Sequence, residues 1–144
     1  MTKTLALVGM LIFSQACSAT DFSVLGGAYV DTLNKFNVKA GFILRDAHDY
    51  IPESTQHSDP FTYADFEVGI EGTKITVGNG DFYEGGFSRA GLSYAQLRTQ
   101  DLAGFELVTS QLIAADMALS VKLGYYFGLR GTDNRLLLGL GFGF

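Results

Sequence analysis

Apolar and polar residues alternate with period two along most of the chain, and this pattern predicts β-strands. Across 36–45, Phe36, Val38, Ala40, Phe42 and Leu44 share one face, opposite Asn37, Lys39, Gly41, Ile43 and Arg45. Across 62–71, Ala64, Phe66, Val68 and Ile70 oppose Tyr63, Asp65, Glu67, Gly69 and Glu71. Leu119, Val121, Leu123, Tyr125, Phe127 and Leu129 likewise oppose Ser120, Lys122, Gly124, Tyr126, Gly128 and Arg130. In the last window Leu136, Leu138, Leu140, Phe142 and Phe144 oppose Arg135, Leu137, Gly139, Gly141 and Gly143. Weaker windows run from Phe22 to Val30, Ile75 to Gly78, Phe87 to Leu97 and Phe105 to about Ser110. Turn-forming residues at Glu71–Lys74 and Gly131–Asn134 separate neighbours as hairpins. The expectation is an all-β chain of eight antiparallel strands in up-and-down order.

Alternation leaves two barrels open, one with its apolar face turned inward around a ligand and one with that face turned to lipid. The polar face decides between them. It holds isolated charges among small residues, Gly41, Gly69, Gly91, Gly124, Gly128, Gly139, Gly141 and Gly143. An eight-stranded barrel has an interior just wide enough for side chains, so a face of glycines around a few large residues suits the lumen. The charges also change sign from strand to strand: Lys39 and Arg45, then Asp65, Glu67 and Glu71, then Arg89, then Glu106, then Lys122 and Arg130. Opposite charges on neighbouring strands can pair across a narrow lumen, and pairing is the condition for burying a charge. The reading is therefore a transmembrane barrel with a filled, ion-paired interior. The clearer windows match the roughly 9–11 residues that a tilted strand needs to cross a bilayer, and in lipid such strands must close on themselves to satisfy their backbone groups. With no Trp in the chain, Tyr29, Tyr94 and Tyr125 are the candidates for the headgroup level.

Composition agrees with strands: 18 glycines and only 17% charged residues make the chain apolar yet glycine-rich. The first 19 residues pair Lys3 with an apolar run from Leu5 to Phe13 and small residues around Cys17, Ser18 and Ala19, the layout of a secretory signal peptide cut after Ala19. The barrel domain then occupies 20–144. Cleavage removes Cys17, the only cysteine; the rival reading of Cys17 as a lipidated N-terminus meets Ser14 where a Leu is usual. Without Lys3, nine basic residues face fifteen acidic ones, a net charge of −6 that disfavours nucleic acid as a partner.

A final strand of alternating apolar residues closing on Phe144 resembles the terminal signal of small Gram-negative outer-membrane β-barrels. The resemblance implies location in the outer membrane, contact with outer-membrane lipid, and recognition of the C-terminal strand by the barrel-assembly machinery. It also implies long loops outside and short turns with the termini inside. Eight strands put the long segment from Asp46 to Pro60 at the end that holds the termini, against that pattern, unless a strand is miscounted between Gly78 and Ser120.

Residues 45–60 concentrate the candidate chemistry: His48 and His57, with Asp46, Asp49, Glu53, Ser58 and Asp59. Ser58 with a histidine is the minimum for acyl transfer, and imidazole with carboxylates is a cation donor set. Neither spacing matches a defined motif, and a solvated acidic loop accounts for the same residues. The stretch Gly78–Gly86 lacks the Lys-Ser/Thr ending of a phosphate loop and occurs once, where calcium repeats need several copies; it reads as a flexible connection or bulge. No residue is assigned a catalytic, cofactor or metal role. The expected function is structural or surface contact in the envelope, without enzymatic activity. Two alternatives are a soluble exported barrel whose cavity is lined by Phe42, Phe66, Leu123 and Leu140, and an outer-membrane lipid-modifying enzyme dependent on His48 and His57.

Overall fold

The computed structural model describes residues 21–45, 59–115 and 117–143. They form one closed antiparallel barrel of β1 (Asp21–Asp31), β2 (Lys35–Arg45), β3 (Asp59–Gly69), β4 (Gly72–Tyr83), β5 (Gly86–Leu97), β6 (Asp101–Ala114), β7 (Met117–Gly128) and β8 (Arg135–Gly143). Each strand pairs with its neighbours in sequence, and β8 closes on β1. Stepping between cross-strand partners from Asp31 through Gly139, Lys122, Val108, Arg89, Gly80, Phe61 and Arg45 returns to β1 at Asp21, ten residues from the start. That stagger around eight strands leans them about 40° from the barrel axis. The closing seam is short. Among the described residues β1 and β8 share five register pairs, Gly27–Asp31 with Gly139–Gly143, where β4 and β5 share twelve.

The expected count of eight strands holds, and two of the weaker windows extend well beyond their sequence pattern. β4 runs from Gly72 to Tyr83 and β6 from Asp101 to Ala114. The tight turn between β3 and β4 is Ile70–Glu71, so Lys74, expected in the turn, stands inside β4. Gly78–Gly86 is no flexible connection; it is the second half of β4 and its hairpin turn, paired to β5 as far as Tyr83 opposite Gly86. Backbone pairing fixes this stretch because its glycines let the strands approach closely: a Cβ on Gly78 would stand 2.0 Å from the Ala90 carbonyl oxygen. Since β4 through β7 are continuous strands, the segment 46–58 joins β2 to β3 at the terminal end of the barrel, where the turn 84–85 and the join from β6 to β7 also lie. Joins 32–34, 70–71, 98–100 and 129–134 lie at the other, turn end.

The two faces of the wall divide as the alternation predicts. Phe36, Val38, Phe66, Val68, Leu136 and Leu138 point outward and are exposed, as are Leu123 at 49% and Leu140 at 60%. Phe42 is half-buried through stacking on Phe22, with ring centroids 5.9 Å apart. The residues expected to line a ligand cavity thus stand on the outer wall. One of the expected headgroup tyrosines stands elsewhere. Tyr29 is buried in the lumen, with the Lys122 ammonium 3.9 Å and the Lys39 ammonium 4.4 Å from its ring centre, whereas Tyr94 is on the outer wall.

Candidate functional site: the barrel interior

Three tiers fill the lumen. At the turn end, Leu33, Ala95, Leu97, Leu102, Tyr126 and Leu137 form an apolar cluster. At the terminal end, Ile43, Phe61 and Tyr63 pack with Leu25, Phe82 and Phe87. Between them lies an ionic tier of four cations, Lys39, Lys74, Arg89 and Lys122, and four carboxylates, Asp31, Asp65, Glu67 and Glu106, all buried.

Pairing in this tier joins neighbouring strands in two cases and otherwise skips a strand or crosses the lumen. Asp65 on β3 takes Lys39 from β2 at 3.4 Å and Arg89 from β5 at 2.7 Å. Glu67, two residues along the same face, takes Lys74 from β4 at 3.2 Å and Lys122 from β7 at 2.7 Å. Lys74 also pairs with Glu106 on β6, and Lys122 lies 3.8 Å from Asp31 on β1. The Tyr126 hydroxyl donates to Glu106 at 3.1 Å, and hydroxyl pairs Thr76 with Ser93 and Ser110 with Ser120, both at 2.8 Å, continue the network. Equal numbers of buried charges, each within reach of its opposite, balance the tier electrically, while both Asp65 carboxylate oxygens, Glu67 Oε2, Glu106 Oε1 and the Arg89 Nε and Nη1 atoms have no hydrogen-bond partner among the described residues.

Small residues make the space. A Cβ on Gly41 would stand 2.2 Å from Asp65 Oδ1, and one on Gly141 would stand 2.0 Å from the Tyr29 ring. A cavity of about 10 Å³, lined by Leu25, Tyr29, Lys39, Phe87, Arg89 and Ser120 among others, has room for about one water molecule.

The charges expected inside divide between the lumen and the rims. Lys39, Asp65, Glu67, Arg89, Glu106 and Lys122 are interior. Arg45 faces the terminal rim and pairs with Asp59 at 3.3 Å. Glu71 sits in the β3–β4 turn and pairs with Lys35 at 2.5 Å; the hydrogen bond and charge of that ammonium hold its carboxyl below the ordinary glutamate range. Arg130, expected beside Lys122, is instead exposed in a 3-10 turn with φ of 58°, because the strand ends at Gly128. Sequence reasoning missed Lys74 and Asp31. Lys74 alternates with Ile75 as Thr76 does with Val77, and Asp31 shares parity with Gly27 and Tyr29, so both were legible once the strands were drawn to full length.

At the turn end Asp31 has a second task. Its Oδ1 accepts the Leu33 and Asn34 backbone N–H groups at 3.0 and 2.6 Å, and its Oδ2 accepts the Asn37 amide at 2.7 Å. Asn34 in turn donates to the Gly72 carbonyl at 3.1 Å and accepts from the Glu71 N–H at 3.1 Å, tying the β1–β2 turn to the β3–β4 turn.

His48, His57, Asp46, Asp49, Glu53 and Ser58 lie outside the described residues, as do the predicted signal peptide, Cys17 and Phe144. Asp59, the member of that group that is described, is engaged with Arg45. Among the described residues no group of three or more His, Cys, Asp or Glu side chains is placed to hold a metal ion. Comparison with protein-family models, with curated proteins and with solved structures finds no match for the chain.

Proposed function

We propose that this chain is a small outer-membrane β-barrel with a filled interior, serving a structural or surface-contact role in the cell envelope without enzymatic activity. One observation carries the reading: an unbroken apolar belt encircles the ionic tier. Its cross-strand neighbours are Val30 with Phe36, Val38 with Val68, Phe66 with Ile75, Val77 with Leu92, Leu92 with Phe105, Leu107 with Leu123, Val121 with Leu140, and Leu140 with Val30. A water-soluble barrel places charge outside and apolar side chains at its centre; here the order at mid-height is reversed, as hydrocarbon surroundings require. Closure of the sheet leaves no edge with unpaired backbone groups at that height.

Strands of 9 to 14 residues suit the depth of a bilayer. A barrel holding an apolar ligand would turn Phe42, Phe66, Leu123 and Leu140 inward, and their outward stance supports the membrane reading. The apolar tiers above and below the ions argue against a porin. The alternation of β8 toward Phe144, with its resemblance to an assembly signal, supports insertion by the barrel-assembly machinery.

Cell fractionation with a heat-modifiability gel tests the proposal. The protein is expected in the outer-membrane pellet, and its band is expected to change mobility when the SDS sample is boiled. Recovery in the periplasmic wash with one mobility before and after boiling would overturn it.

A further inference from the structure

The outer wall is not equally tall all round. On β1 the outward residues are apolar or glycine from Phe22 to Val30, eight residue steps that climb about 20 Å along a strand leaning about 40°. On β4 only Ile75 and Val77 are apolar between Thr73 and Asn79, a climb of about 5 Å between the two side chains. The difference lies at the terminal end, where the outer wall of β3 to β6 carries Thr62, Asn79, Asp81, Ser88 and Thr109 below the belt, and large apolar side chains, Tyr83, Leu112 and Ile113, return only at the strand ends beyond them.

The register locates these residues against the tall flank. Cross-strand partners carry Phe42 through Ala64 and Val77 to Leu92. Three strand steps climb about 9 Å toward the turn end, and the four residues from Leu92 back to Ser88 descend about 10 Å. Phe42 and Ser88 therefore stand at one height on different flanks, one apolar and one polar.

The polar flank is built for water. Thr62 bonds Asn79 at 3.0 Å, Ser88 approaches Thr109 at 3.4 Å, and Asp81 accepts the Asp59 N–H at 2.7 Å. Behind them, inside the barrel, Phe61, Phe82 and Phe87 pack together, with the Phe61 and Phe82 centroids 4.6 Å apart. Apolar within and polar without is the order of a solvated wall. Because the polar groups satisfy one another across strands, a protein partner is not needed to pair them. A rigid tilt of the barrel does not account for the difference either: at the turn end polar residues begin at nearly one height on both flanks, Thr32 and Thr73 lying within about 3 Å.

We infer that the apolar belt is a wedge: lipid on the terminal side keeps its full depth along β1 and β2, and the leaflet thins along β3 to β6 so that headgroups and water reach Asn79, Ser88 and Thr109. This rests on the membrane reading above. Its ligand is the bilayer itself, whose acyl chains must shorten on one flank to match the wall.

The test uses the full chain with Cys17→Ser, refolded into dioleoylphosphatidylcholine vesicles, carrying a fluorescent thiol probe at Phe42→Cys or at Ser88→Cys. Aqueous iodide and acyl-chain brominated lipid are the two quenchers, and a heat-modifiability gel verifies folding of each variant. The pair Leu119→Cys and Asn79→Cys, also matched in height, repeats the measurement if either first variant does not fold. The expected result is lipid quenching at Phe42 and Leu119 and iodide quenching at Ser88 and Asn79. Lipid quenching at both sites of a pair, or iodide quenching at both, overturns the wedge while leaving the membrane reading intact. Shielding of the Ser88 and Asn79 probes from both quenchers overturns it in favour of a second copy covering that flank. A chain that never becomes heat-modifiable in vesicles overturns the membrane reading, and the wedge with it.

Discussion

Glu67 is the node of the ionic tier, and Glu67→Gln tests whether that tier is dry. The substitution is nearly isosteric, so it changes charge without opening a cavity. Lys122, 2.7 Å from Glu67, would be left with Asp31 at 3.8 Å, and Lys74 would keep Glu106. Four buried cations would then face three carboxylates. Removing one partner of a buried pair costs about 3–5 kcal/mol, a large share of the roughly 5–15 kcal/mol by which a domain is stable. The assay is reversible urea unfolding of the barrel in vesicles, followed by tyrosine fluorescence and by the fraction resisting SDS without boiling. A midpoint shift equivalent to about 3–5 kcal/mol is expected. Adding Lys122→Met should restore charge balance and recover part of the loss, with a coupling of about 1–3 kcal/mol. A loss below about 1 kcal/mol, the value of a solvent-exposed pair, would refute the reasoning: water would then reach Glu67, and the apolar tiers would not be seals.

Leu140→Arg places a cation in the middle of the apolar belt and should cost about 2–4 kcal/mol in vesicles, measured by the same unfolding curves, against about 0.5 kcal/mol or less for a surface change in a soluble barrel. Gly141→Ala drives a methyl into the Tyr29 ring and should cost about 1–3 kcal/mol, with Tyr29 side-chain resonances shifting in NMR spectra while those of Tyr94 stay in place. Glu71 titrates below its ordinary value because Lys35 holds it, so the stabilisation is complete above the unfolded value of about 4.3 and is lost as pH falls through the depressed one. An NMR titration of the Glu71 carboxyl should show this depression, and Lys35→Met should remove it. In planar bilayers the wild-type barrel should show no porin-like conductance, and steady open-pore currents would contradict the tiered lumen.

The faces of the wall were legible in the sequence because period two assigns each side chain to one side without any tertiary knowledge. That is why Lys39, Asp65, Glu67, Glu106 and Lys122 could be placed inside together. Strand ends were less legible. β4 carries Thr73, Asn79 and Asp81 outward at its two ends, so apolar alternation faded there although hydrogen bonding continued, and Lys74 was lost to a supposed turn. Tyr29 looked like a headgroup anchor on residue type; its parity with Gly27 and Asp31, not its chemistry, determines its place in the lumen. The partners of each charge were beyond reach for a different reason. They depend on the stagger of ten residues, which is a property of closure and not of any one strand.

The brevity of the β1–β8 contact governs how such a cylinder would come undone. Among the described residues five pairs hold that joint, against nine between β7 and β8 and eleven between β1 and β2, so the sheet is expected to open there first and unroll from its two outermost strands. Traffic lengthwise is blocked by stacked greasy layers. Sideways exchange with the centre has to await that opening, because Tyr29 backs the joint from within and Val30, Leu140 and Phe142 cover it from without.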